Sequence, residues 1–104
     1  MQLGHFARLL AAFAFAAAVG ACMQPREEPP EVARGRAIAV EWCGSCHGAA
    51  RAAPDFAAIS ARPGRDHMYL TNFMADLHLP MPTYRLWAEE RAAVVAYIRS
   101  LDRP

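Results

Sequence analysis

Cys43-Gly44-Ser45-Cys46-His47 decides how this chain is read. The five residues spell C-x-x-C-H, the spacing at which a polypeptide attaches a c-type haem. Two thiols about one helical turn apart can each add to one of the two haem vinyl groups. The histidine directly after them then sits beneath the iron and offers an imidazole nitrogen as proximal ligand. Cys43 and Cys46 are therefore the candidate covalent attachment points, His47 the candidate iron ligand, and one haem per chain is expected. Three other readings compete. A thioredoxin-like dithiol sits at a strand-to-helix turn, and no strand alternation precedes Cys43. A structural zinc needs four ligands, commonly from two such pairs, and there is no second pair. Coincidence accounts poorly for flanking sequence that fits the haem reading.

Upstream, residues 1–21 read as a secretory signal peptide. His5 and Arg8 precede an apolar run from Leu9 to Val19, and small residues Gly20 and Ala21 follow. The run is shorter than the roughly 20 apolar residues of a membrane span. Export agrees with the pentapeptide, because c-type haem is attached outside the bacterial cytoplasm. Val19-Gly20-Ala21-Cys22 resembles a lipobox, which makes Cys22 the candidate lipidation site. With Cys43 and Cys46 taken by haem, Cys22 is left without a disulfide partner. Ordinary signal cleavage nearby is the alternative. Residues 22–30 then form a polar, Pro/Glu-rich tether, and residues 31–104 form one domain. A domain of that size has a thin core and usually needs a staple, which a bonded haem provides.

Charge limits the partners only weakly. The chain totals +1, and every basic residue is arginine, so a lysine ring for strongly acidic partners is absent. No internal repeat or nucleic-acid signature appears.

Apolar spacing predicts helices throughout the domain. No proline interrupts Glu31 to Ala53, and Gly48 is a natural stop. Residues 49–61 read as a loop, and Pro63-Gly64 reads as a turn. A second helix starts at Arg65 or Asp66 and carries Tyr69, Leu70, Phe73, Met74 and Leu77 on one face. Pro80-Met81-Pro82 breaks it. The last helix runs from about Trp87 to Leu101, with Val94, Tyr97, Ile98 and Leu101 facing inward and Glu89-Glu90 at its positive end. The expected class is all-α, with three main helices around the haem.

In this order the residues closely resemble the small monohaem class I cytochromes c of bacteria, over roughly Val32 to Leu101. Ala33-Arg34-Gly35-Arg36-Ala37 is similar to the family's first helix, where a glycine lets the C-terminal helix cross closely. Ala96-Tyr97-Ile98-Arg99-Ser100-Leu101 is similar to that C-terminal helix, with Tyr97 as the aromatic at the crossing. The resemblance also implies that Pro54 orients the haem histidine, and that Met81-Pro82 leads from an axial methionine into the final helix. Two positions depart from the pattern. Trp87 stands where a Ser, Thr or Asp cap is usual, and Arg91 stands where an aliphatic residue is common.

The residues themselves also favour Met81 as second iron ligand. Met23 lies in the tether, and Met68 and Met74 lie on a helix, where methionine usually fills core gaps. Met81, between two prolines, sits in a stiffened loop able to hold a thioether over a haem face. His78 is the rival, with a solvated surface residue as its plain reading. A six-coordinate haem has no vacant site, and the sequence offers no nucleophile beside a base and no phosphate loop. The expectation is an electron-transfer protein, not an enzyme. It would be an exported one-electron carrier between a dehydrogenase or quinol-oxidising complex and a terminal oxidase or reductase, or the cytochrome subunit of a periplasmic dehydrogenase. The alternative is a haem protein with a labile sixth ligand that binds a gas or reduces peroxide.

Overall fold

A computed structural model describes residues 25–48 and 52–102, and every regular element among them is helical. The leader, Cys22 and Met23 lie outside the described residues. Helix α1 spans Pro30–Ile38. It opens on Pro30, whose missing N–H would have had no helical partner in any case. The Pro29 carbonyl takes the N–H groups of Val32 and Ala33 at 3.0 and 3.1 Å. The helix thus begins at the last residue of the expected tether. Just before it, Glu28 pairs with Arg36 at 2.7 Å, an exposed contact of little energetic weight.

The chain does not leave α1 as a plain α-helix. Ala39–Cys43 forms a π-helical turn, and α2, Gly44–His47, resumes α geometry through the pentapeptide. Gly48 then turns to extended backbone, at the expected stop.

The segment read as a loop contains a short helix, α3, Phe56–Ala61. Six residues are too few to show a helical period, but Asp55 supplies the start. Its carboxylate accepts the Ala58 N–H at 2.7 Å, which satisfies one of the helix's orphan donors. Asp66 caps α4, His67–Ala75, in the same way through the Tyr69 N–H at 2.8 Å. Helix α4 ends before Leu77, which is 67% exposed and so does not extend the apolar face as expected. A 3-10 turn, Pro82–Arg85, precedes α5, Ala88–Ser100.

Trp87 is the cap residue of α5, and its indole has no acceptor to offer. The helix start is secured from the other side: the Glu90 carboxylate accepts the Trp87 N–H at 2.8 Å. The ring itself is 73% exposed. Arg91 is accommodated where an aliphatic residue is common because its guanidinium donates to the Leu86 carbonyl at 2.6 Å.

Helix α5 is the centre of the packing, with α1 and α4 laid against it. Its buried residues are Ala93, Val94, Val95 and Ile98, so the apolar stripe is wider than the spacing alone indicates, and Leu101 lies outside it. Ala39, Leu70, Met74 and Leu86 complete the core. Where α1 meets α5 the backbones touch. A Cβ on Gly35 would be driven into the Ala93 carbonyl and would lie 3.0 Å from Tyr97 Cβ. At Gly44 the nearest such atom is the Ala39 oxygen at 3.8 Å, an ordinary contact. Gly35→Ala should therefore lower stability by about 2–3 kcal/mol through overpacking. Gly44→Ala should be neutral or raise it by up to ~1 kcal/mol. Guanidinium unfolding followed by far-ultraviolet circular dichroism separates the two.

Candidate cofactor site

The helices enclose a cavity of about 680 Å³. The end of the first helical run contributes Trp42, Cys43, Cys46 and His47; α3 contributes Phe56 and Ile59; α4 contributes Leu70, Phe73 and Met74. Pro80, Met81 and Pro82 line it from the loop before α5, while Val94 and Ile98 form part of its apolar floor. The size and the mostly apolar lining suit a cofactor pocket.

The π-helical turn stands immediately before the first thiol. One extra residue in the turn changes the direction in which the following residues project, and such turns recur at functional sites. Cys43 ends up half-buried and Cys46 exposed. Burial pushes the Cys43 thiol above its ordinary pKa, and the neighbouring Cys46 sulfur adds to the shift. At neutral pH this thiol therefore keeps its proton.

His47 is held in one orientation from two sides. Its Nδ1 lies 2.7 Å from the Pro54 carbonyl, which can only accept, so Nδ1 donates there and the neutral ring would present its lone pair at Nε2. Its ring stacks on Phe56, centroids 5.3 Å apart, and Phe56 meets Tyr97 edge-on at 5.8 Å. An aromatic chain thus runs from the imidazole to the crossing of α1 and α5.

Two thioethers reach the cavity. Met74 does so from α4 as a core residue, only 5% exposed. Met81 is half-buried, packs against the core, and has its backbone fixed by donation to the His78 carbonyl at 2.7 Å. Met68 is 72% exposed. His78 does not line the cavity; it stacks on Phe73 at 4.0 Å, with Nδ1 3.2 Å from the Asp76 carbonyl. Trp87 is likewise absent from the lining.

Arg62, Arg65 and Thr83 line the cavity as well, and the sequence reading did not single them out. Only the Pro63-Gly64 turn between the two arginines was visible in advance.

The donors brought together are two thiols, an imidazole with a free Nε2 and a thioether over an apolar floor, which fits an iron porphyrin. Among the described residues no three His, Cys, Asp or Glu side chains converge as a metal-ion site. A helical frame around such a pocket is that of the small monohaem class I cytochromes c, and the chain belongs to that family. Residues 30–98 match the family described as cytochrome c oxidase, cbb3-type, subunit III. Over 78 residues the chain is 33% identical to cytochrome c-552 of Bradyrhizobium diazoefficiens, a match that covers 68% of this chain and 75% of that protein. No solved structure matches. Membership makes this a haem-based electron-transfer protein that works with redox partner proteins, and not an enzyme in its own right. No described helix is long and apolar enough to cross a membrane.

Asp55 fixes the start of α3, and with it the neighbours Pro54 and Phe56 that hold the imidazole. Asp55→Ala should cost about 1 kcal/mol, whereas Asp55→Asn, an equally good cap, should keep most of it. Urea unfolding of both variants checks this.

Proposed function

We propose that the protein is an exported one-electron carrier with a single covalent haem. Cys43 and Cys46 would form the thioether links, and His47 and Met81 would hold the iron. The observation that carries the reading is the pinned imidazole: Nδ1 is committed to the Pro54 carbonyl and Nε2 is left free on a residue lining the same cavity as Met81. When bound, haem supplies a one-electron iron couple. The chain's part is to hold and tune it. The Pro54 carbonyl raises the basicity of the imidazole, and Phe56 keeps its ring from rotating. Pro80 and Pro82 stiffen the loop that presents the Met81 sulfur, a ligand that raises the potential relative to a second histidine. The buried floor of Leu70, Leu86, Val94 and Ile98 excludes water from the pocket. With His47 and Met81 both holding the iron, the pocket would leave no place for a substrate, and the bound group would only exchange electrons.

The carrier would link a dehydrogenase or quinol-oxidising complex to a terminal oxidase or reductase, or serve as the cytochrome subunit of a periplasmic dehydrogenase. Residues 1–21 would direct export and residues 31–104 would be the electron-carrying domain. Cys22 would be diacylated, with residues 22–30 as the tether to the membrane surface. Two or more acyl chains give stable anchoring. Extended at about 3.1 Å per residue, the seven residues from Met23 to the start of α1 would reach roughly 22 Å.

A redox titration with optical spectra tests the ligand set. Wild type should carry one haem that survives denaturation and acid extraction on a peroxidase-stained gel. Cys43→Ala and Cys46→Ala should each weaken attachment. Met81→Ala should keep the covalent haem, lower the potential, lose the weak far-red sulfur-to-iron band and bind carbon monoxide when reduced. Carbon monoxide binding by reduced wild type at neutral pH would favour the labile-ligand alternative, and an unchanged band in Met81→Ala would move the role to Met74.

The location is tested separately. Cys22→Ser should release the protein from the membrane fraction with its haem spectrum unchanged. A wild type found soluble, with an unmodified N-terminus beyond Cys22, removes the lipid anchor from the proposal.

A further inference from the structure

Helix α4 ends at Ala75 and the 3-10 turn begins at Pro82, so Met81 is presented by a loop of irregular backbone. Asp76, Leu77, His78, Leu79 and Pro80 make up the rest of that loop, and four of the five are exposed. Leu77 and Leu79, which could have anchored it by burial, are 67% and 72% exposed. Pro80 borders the cavity and is exposed all the same. The backbone bonds of the loop are local as well. The Asp76 N–H donates to the Asn72 carbonyl at 3.2 Å, and the Met81 N–H donates to the His78 carbonyl at 2.7 Å. Neither bond ties the loop to a part of the fold beyond the end of α4.

His78 is the exception among these five. It is half-buried, and not the solvated surface residue that its sequence context suggests. Its ring lies against that of Phe73, with centroids 4.0 Å apart and planes 22° from parallel. Its Nδ1 lies 3.2 Å from the Asp76 carbonyl, which helps to set the direction of the ring. Phe73 is part of the cavity wall on α4, and it stacks in turn on Tyr69 at 6.1 Å. One residue thus joins two structures. Through its carbonyl His78 holds the Met81 backbone, and through its ring it rests on the wall of the pocket.

Resting on the haem and Met81 reading above, we propose that His78 is the positioning residue for Met81, its ring clamping the ligand loop to Phe73. Two things then keep the thioether in the pocket: its own packing against the core, and the stack three residues before it. Opening the loop carries the Met81 sulfur away from the cavity, and the His78 ring must leave Phe73 for that to happen. A stacked aromatic pair shifts such an equilibrium by roughly two- to tenfold. The role calls for a flat ring and not for a charge, so another aromatic side chain at this position fills it.

The test uses the full-length haem-loaded ferric protein at neutral pH, with imidazole as the probe and the far-red sulfur-to-iron band as the readout. Imidazole competes only when Met81 has swung away, so its apparent affinity rises with the open fraction of the loop. His78→Ala should bind imidazole roughly two- to tenfold more tightly than wild type while keeping its covalent haem. His78→Phe should match wild type, because the stack survives. Leu77→Ala, in the same loop but outside the stack, should match it too. Phe73→Leu removes the other half of the stack, and adding His78→Ala to it should tighten imidazole binding no further. If His78→Ala does not fold, His78→Gln, which keeps a polar group and loses the ring, should show the same gain. An unmoved imidazole affinity on loss of the ring, even beside a fall in thermal stability, overturns the positioning role, and so does a failure of His78→Phe to restore it. A wild type without the far-red band overturns the Met81 reading and this proposal with it; a wild type that has the band, beside an unmoved His78→Ala, overturns the positioning role alone.

Discussion

The contact between Gly35 of α1 and the Ala93 carbonyl of α5 brings two helix backbones closer than any side chain would allow. With α1 seated there, the π-helical turn and the pentapeptide that continue from it are placed over the floor formed by Val94 and Ile98. Tyr97, beside the same crossing, passes the constraint outwards through Phe56 to the His47 ring. A backbone contact far from any chemistry thus fixes where an imidazole stands. Close packing makes this transmission stiff, since interiors have few voids into which a displaced ring could relax.

Within the pocket, the chain uses backbone groups where side chains would be the obvious choice. The Pro54 carbonyl holds His47, the His78 carbonyl holds Met81, and the Ser60 and Arg65 carbonyls receive Arg99. The Ser60 carbonyl lies in the last turn of α3, and that of Arg65 belongs to the residue closing the turn before α4. Such partners lose little entropy when they order a side chain. A small domain without lysine and with few buried polar side chains can in this way orient several groups from a thin core.

Much of the fold was legible in the sequence because the signals were local. The C-x-x-C-H spacing, the Gly48 stop, the Pro63-Gly64 turn and the start of α4 at Asp66 all depend on residues within one turn of each other. The structure also gathers Cys43, Cys46, His47 and Met81 around one cavity. What stayed hidden was either too short or set by tertiary packing. Helix α3 has six residues and no readable period. The π-helical turn inserts a single residue, which apolar spacing does not resolve. Leu77 and Leu101 continue a periodic pattern past the point where their helices stop facing the core. The Pro63-Gly64 turn was legible, but the anchoring of that turn by Arg99, more than thirty residues away, was not. Cys22 and the leader lie outside the described residues, and their reading rests on sequence alone.

The two helices that meet at Gly35 come from opposite ends of the domain, α1 at Pro30–Ile38 and α5 at Ala88–Ser100. On a chain delivered N-terminus first, both thiols and the histidine emerge well before the segment that forms the pocket floor. The cavity cannot close until nearly the last residue has followed. During that interval Cys43, Cys46 and His47 sit on an open chain segment, accessible from every side. The order of the sequence therefore sets an order of events in time: these three residues are exposed first and enclosed afterwards. Moving α5 ahead of α1 by circular permutation would keep the same contacts and lose that interval.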